Sequence, residues 1–191
     1  DRAFRGGAGA PALGGAPGQP ERPADGLQEG IMQRVSVICV GKLKERFYIE
    51  AAGEYGKRLS RFCRLELIEL PEERLPEDPS PAQIEAALEK EAAAIRAKVP
   101  QGACLVAMCV EGETCSSPEL ARRMAGWADR GVSHVVFVVG SSFGLHPSVK
   151  KAAALRLSMS PMTFPHHLAR VMLLEQIYRA YQINAGSKYH K

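Results

Sequence analysis

Leu157–Lys191 reads LSMSPMTFPHHLARVMLLEQIYRAYQINAGSKYHK and divides into a short loop, an apolar helix and a polar tail. The loop, Ser158–Pro165, holds two prolines and several small hydroxylic residues. Proline suits the first turn of a helix, where its missing N–H would have no partner. Pro165 is therefore expected to open the helix, with Thr163 or a neighbour near the cap. The apolar residues Leu168, Val171, Met172, Leu174, Ile177, Tyr178 and Tyr181 then fall near helical spacing. Arg170, Glu175, Gln176 and Arg179 interrupt or border that face. Asn184-Ala185-Gly186 stops the helix. Lys188-Tyr189-His190-Lys191 follows with a phenol, an imidazole and two ammonium groups. On composition alone, the segment is a core helix with a solvated tail.

Working back from it, the chain alternates. Arg34–Val40 (RVSVICV) is dense in β-branched residues and reads as a strand. Phe47, Ala51, Tyr55 and Leu59 step by four, so residues 45–60 form an amphipathic helix. Arg64–Leu70 (RLELIEL) alternates apolar and charged, which predicts a strand with one wetter face near a sheet edge. A proline-rich acidic loop, Pro71–Pro81, leads to a helix with Ile84, Leu88 and Ile95 inward, ended by Pro100 and Gly102. Cys104–Val110 (CLVAMCV) is a continuous apolar run, expected to be buried on both faces and to end in a turn at Glu111-Gly112. A helix from Ser117 to about Arg130 precedes the strand Val135–Val139. His146-Pro147-Ser148 opens a short helix to about Leu155, and a further strand lies near residues 156–159. This alternation predicts an α/β fold with a mostly parallel sheet. Ligands in such folds sit beyond the carboxyl ends of the strands.

The chain has 191 residues, 46% hydrophobic and 24% charged, a balance suited to one soluble domain with a real core. Residues 1–31, rich in Gly, Ala and Pro, are expected to be a disordered amino-terminal extension, and residues 32–191 the domain. A net charge of +4 is compatible with an RNA partner without requiring one. Five cysteines with no CxxC pair argue against a disulfide framework or a structural metal and for a reducing cytoplasm. No apolar run is long enough to span a bilayer, and no secretory signal is visible.

Three stretches draw attention as a possible pocket. Gly140-Ser141-Ser142-Phe143-Gly144 lies between a buried strand and a helix, where glycines let a ligand approach the backbone. It matches neither GxGxxG nor a P-loop, and a plain strand-to-helix turn explains it as well. The end of Cys104–Val110 and the loop Met159–Phe164 are equally ambiguous alone. Together the three would line one pocket with backbone groups and apolar side chains. No Ser-His-Asp set stands out. His166-His167 could supply a base, though such a pair at a helix start more often packs or caps. Arg170 and Arg179 either pair with neighbours such as Glu175 or hold phosphate or an electron-rich base.

RVSVICVGKLKERF, FVVGSSFGLHPSV, LSMSPMTFPHHLARVMLLEQIYRAYQI and the final YHK resemble the RlmH family of bacterial 23S ribosomal RNA methyltransferases, in the SPOUT (α/β-knot) superfamily. The resemblance runs from about residue 32 to 191. It implies a carboxyl-terminal segment threaded into a trefoil knot, and a homodimer with its cofactor pocket at or near the interface. It also implies S-adenosylmethionine as cofactor and N3 of a pseudouridine on the assembled ribosome as methyl acceptor. The cofactor positions would be Met108, Gly140, Met159, Ser160, Pro161, Met162, Thr163 and Phe164. Arg179, Tyr189 and His190 would serve the target base. Arg179 would balance charge on the imide, Tyr189 would stack or hydrogen-bond, and His190 or a water would take the N3 proton. Many members carry glycine where this chain has Ser141, so the loop is expected to differ locally. The alternatives are a non-catalytic ribosome-binding module and a transfer RNA methyltransferase of the same fold.

Overall fold

The computed structural model describes residues 32–191; the extension expected over residues 1–31 lies outside them. In chain order the elements are β1 (Arg34–Val40), α1 (Arg46–Leu59), β2 (Arg64–Leu70), α2 (Pro81–Lys98) and β3 (Cys104–Thr114). They continue with α3 (Ser117–Asp129), β4 (His134–Val139), α4 (Pro147–Ala152), β5 (Leu155–Ser158) and α5 (His166–Asn184). The strands form one sheet in the order β2-β1-β4-β3-β5, parallel at every pairing. β2 is an edge strand, as its alternating charge predicts.

Side chains alternate across the sheet, so successive residues of the central strands enter different cores. Val37, Val106, Phe137 and Val139 pack on one face with α1, α3 and α5. Ile38, Ala107, Val136 and Val138 pack on the other with α2 and α4. Sequence signals set the helix starts. Ser80 with Gln83, and Ser116 with Glu119, form reciprocal capping boxes, each followed by proline in the first turn.

The structure differs from the sequence reading on α1, where Phe47 is 63% exposed and Ala52 and Leu59 are the buried residues, and in three further places. β3 does not turn at Glu111-Gly112 but runs on to Thr114. Leu157 of β5 pairs with both Met108 and Glu113, and residues 109–112 bulge between those pairings. A Cβ on Gly112 would lie 2.8 Å from the backbone of Arg156 and Leu157, so glycine is what lets β3 lie so close to β5. Second, Pro165 is the N-cap residue of α5 rather than its first helical residue, and no side chain caps it. Third, the buried stripe of α5 is Arg170, Leu173, Leu174, Ile177 and Ala180. Val171 and Met172 stay half-buried, because α5 is apolar on more than one side and only one side meets the sheet. Among the described residues no helix is long and apolar enough to cross a membrane.

Candidate active site

A cleft of about 740 Å³ opens beyond the carboxyl ends of β3, β4 and β5, where parallel sheets receive ligands. Met108 and Gly140 line it from strand ends, and Met159, Ser160, Met162, Thr163 and Phe164 from the loop before α5. Of the expected cofactor positions only Pro161 is not in its lining. Leu145, Ser158 and His166, which the sequence reading did not single out as pocket residues, also line it.

The cleft walls owe their shape to local chemistry. A Cβ on Gly140 would fall 2.3 Å from the Gly144 carbonyl oxygen, so a side chain there would force the turn open. Gly144 itself has φ +83°, a backbone region that side chains disfavour. In the opposite wall Ser158 Oγ donates to the Ser160 carbonyl at 3.0 Å, and the Met162 N–H donates to Ser160 Oγ at 3.0 Å. Such serine-centred turns hold irregular backbone without a strand partner. The charged side chains in the lining, Glu111 and Lys150, pair with each other. Backbone groups, apolar side chains and a cancelled charge pair suit a flat heterocycle with a polar tail, so the residues fit an adenosyl cofactor.

The amino-terminal end of α5 is anchored beside this cleft. Arg170, 3% exposed, donates from Nη1 to Glu69 Oε2 at 2.7 Å and from Nη2 to the Gly41 carbonyl at 2.8 Å. The Leu43 N–H also donates to Glu69 Oε2, at 2.9 Å. Burial pushes the Glu69 carboxyl up, but the Leu43 N–H and Arg170 outweigh it and hold the group below its ordinary value. Arg170 is thus a structural brace, not a phosphate ligand. His166 lines the cleft, yet its Nε2 is buried, without a protein partner, 3.7 Å from where a Gly41 Cβ would lie. Burial and the neighbouring His167 push its pKa down.

Arg179, Tyr189 and His190 come together, but not at the cleft. Arg179 donates from Nε and Nη2 to Glu175 Oε1, at 3.0 and 2.6 Å. Its guanidinium lies 4.8 Å from the centroid of the Tyr189 ring, and the Tyr189 hydroxyl donates to Glu175 Oε1 at 3.3 Å. Arg179 Nη1 reaches His190 Nδ1 at 3.2 Å. A guanidinium only donates, so Nδ1 is the acceptor in this contact. Glu175, which the sequence offers as a partner for Arg179, is the hub of this cluster, at i,i+4 spacing. None of the three lines the cleft, and Arg179 lies on the order of 20 Å along the helix from Phe164 at 1.5 Å rise per residue.

Residues 33–190 match the family described as predicted SPOUT methyltransferase. The chain belongs to the RlmH family of SPOUT methyltransferases. A relative in Bifidobacterium animalis subsp. lactis, named ribosomal RNA large subunit methyltransferase H, is 48% identical over 82% of this chain and 99% of its own length. One of the same name in Clostridioides difficile is 45% identical over the same shares. The SPOUT family match spans the cleft, α5 and most of the tail, so it covers both clusters rather than the sheet alone. The α/β architecture with its parallel five-stranded sheet is that of a SPOUT methyltransferase.

Proposed function

We propose that this protein methylates N3 of a pseudouridine in 23S rRNA of the assembled ribosome, in the cytoplasm, using S-adenosylmethionine as methyl donor and acting as a homodimer. The observation that carries the reading is the near end-to-end match to relatives named for large-subunit rRNA methylation, 99% of their length. Met108, Gly140 and the segment Met159–Phe164 would hold the cofactor. When bound, it supplies a methyl group already activated by a sulfonium centre. The trefoil passage of the carboxyl-terminal segment belongs to the same reading.

The protein's own contribution is placement and charge. Orienting two reactants can contribute ~7–11 kcal/mol to lowering a barrier. Arg179 balances negative charge on the imide as N3 loses its proton. The Tyr189 ring covers the base. His190 takes the proton once the entering base draws Arg179 away and frees Nδ1. These groups do not line the cleft of their own chain, though Glu175 and Met159 border one further opening, and in this reading a second copy brings its tail to the cleft. The half-buried apolar residues Val171 and Met172, beside a second cleft of about 540 Å³ that Glu175 also lines, give that copy a surface to pack on.

Three measurements test this. Calorimetric titration with S-adenosylmethionine should show binding, and methyl transfer should occur to ribosomes lacking the modification but not to free 23S rRNA. Binding without transfer to ribosomes would overturn the substrate and keep the cofactor. Mixed dimers of Gly140→Ala and Arg179→Ala subunits should recover activity that neither homodimer has, because one intact cleft then meets one intact tail. No recovery would place cleft and tail in one chain.

A further inference from the structure

Glu91 is a buried carboxylate on α2, 5% exposed, with no cationic partner among the described residues. Its Oε2 accepts from Ser141 Oγ at 3.0 Å, and its Oε1 from the Glu73 N–H at 3.2 Å. Glu72 and Glu73 lie close enough to add repulsion. A buried charge held by neutral donors and faced by other carboxylates costs stability, where a similarly sized apolar residue would not. Something other than stability accounts for it.

The partner explains what. Ser141 is 6% exposed and is the second residue of the Gly140–Gly144 turn in the cleft wall. The Gly144 N–H donates to the Ser141 carbonyl at 2.9 Å, which closes the turn on itself. Ser141, Ser142 and Phe143 also line another cleft, of about 510 Å³, on the side of Glu72 and Glu91. The turn is therefore a partition between two openings, not a loop packed on protein. Its outward brace is the Ser141–Glu91 bond, seconded by a longer contact of 3.4 Å from Ser142 Oγ to Glu72.

We propose that Glu91 is a positioning residue for the cofactor cleft: by accepting from Ser141 and from the Glu73 N–H it pins the Gly140–Gly144 turn to α2 and to the loop after β2. This rests on the cofactor reading of the cleft. The role needs acceptors and a side chain of that length rather than a charge. In Glu91→Gln the amide oxygen can accept from the Glu73 N–H while its NH2 donates to Ser141 Oγ. Glu91→Ala and Ser141→Ala both remove the tether.

The test uses the full chain without cofactor, then with it. Hydrogen exchange of the amides in residues 141–145 should accelerate about 10-fold or more in Ser141→Ala and Glu91→Ala, through local opening that leaves the rest of the sheet protected. Calorimetric S-adenosylmethionine affinity should weaken by about 10-fold in the same two variants and stay within about 3-fold in Glu91→Gln. Unchanged exchange and affinity in Ser141→Ala would overturn the proposal. So would a Glu91→Gln as impaired as Glu91→Ala, since the charge and not the tether would then matter. If Glu91→Ala does not fold, Ser141→Ala removes the same bond from the turn side. Failure of the unsubstituted protein to bind S-adenosylmethionine would overturn the cofactor reading itself. The exchange measurement would still decide whether Glu91 braces the turn.

Discussion

The two ends of α5 carry the same kind of ion pair and put it to different uses. At the amino-terminal end Arg170 reaches a carboxylate 101 residues away and a carbonyl on the β1–α1 turn, and almost none of it meets solvent. At the carboxyl-terminal end Arg179 holds a carboxylate one helical turn back, and its side chain is 25% exposed. The first pair ties the helix to the sheet and so sets where the cleft loop ends. The second is local, half-buried and surrounded by Tyr189 and His190, all of which an incoming base could rearrange without disturbing the core. A guanidinium is structural or functional according to what it would leave behind if it moved.

Substitutions can break or sharpen this contrast. Arg170→Met should cost about 3 kcal/mol, the lower end for removing one partner of a buried pair, because Glu69 reaches water in part. Thermal unfolding should fall by roughly 6–12 °C, and a shift under about 2 °C would erase the distinction between the two ends. Arg179→Ala should cost less than Arg170→Met, about 1 kcal/mol, since its half-buried pair is local and Gln176 and Tyr189 still donate to Glu175. Its turnover on ribosomes should drop about 100-fold, with cofactor affinity retained. A drop in cofactor affinity of the same size would move Arg179 into the cofactor site. The smallest effect concerns the two carboxylates that hold loops at the cleft. Burial raises the Glu91 pKa, so the folded protein binds a proton there more readily than the unfolded chain. Stability therefore falls as pH rises from the ordinary carboxylate range through the raised value. Glu91→Gln escapes that loss and should unfold about 2 °C higher at pH 8, with the gap closing as pH falls. Glu69, held low, has the opposite sign: its contribution is present at neutral pH and is lost on acidification through its depressed value. A Glu91→Gln advantage that grows in acid would contradict this assignment.

Much of this was legible in the sequence, for reasons that also explain the rest. Runs such as Val135–Val139 are strands by composition, and Ser80-Pro81 marks a helix start by chemistry, so the layered α/β architecture needed no coordinates. The cleft residues lie at strand ends, which alternation alone locates. The buried face of α5 was misread because nearly every turn of that helix is apolar, leaving spacing nothing to choose between. Arg170 and Arg179 were indistinguishable for a related reason. The partner that separates them, Glu69, is set by tertiary packing and not by periodicity. Glu91 carries no sequence signal of its own on a helix of mixed charge, since only the fold brings Ser141 to it.

The sheet also constrains the order of events when the chain folds. Arg34 pairs with His134, and the Gly41 carbonyl waits for Arg170, so each contact closes a long loop before any local reward is gained. Folding should accordingly be slow for a chain of this length. β5 and α5 follow the other four strands in chain order; they supply one wall of the cleft and lead into the tail. A nascent chain can therefore hold most of its sheet and still have no catalytic capacity, which arrives in a single late step.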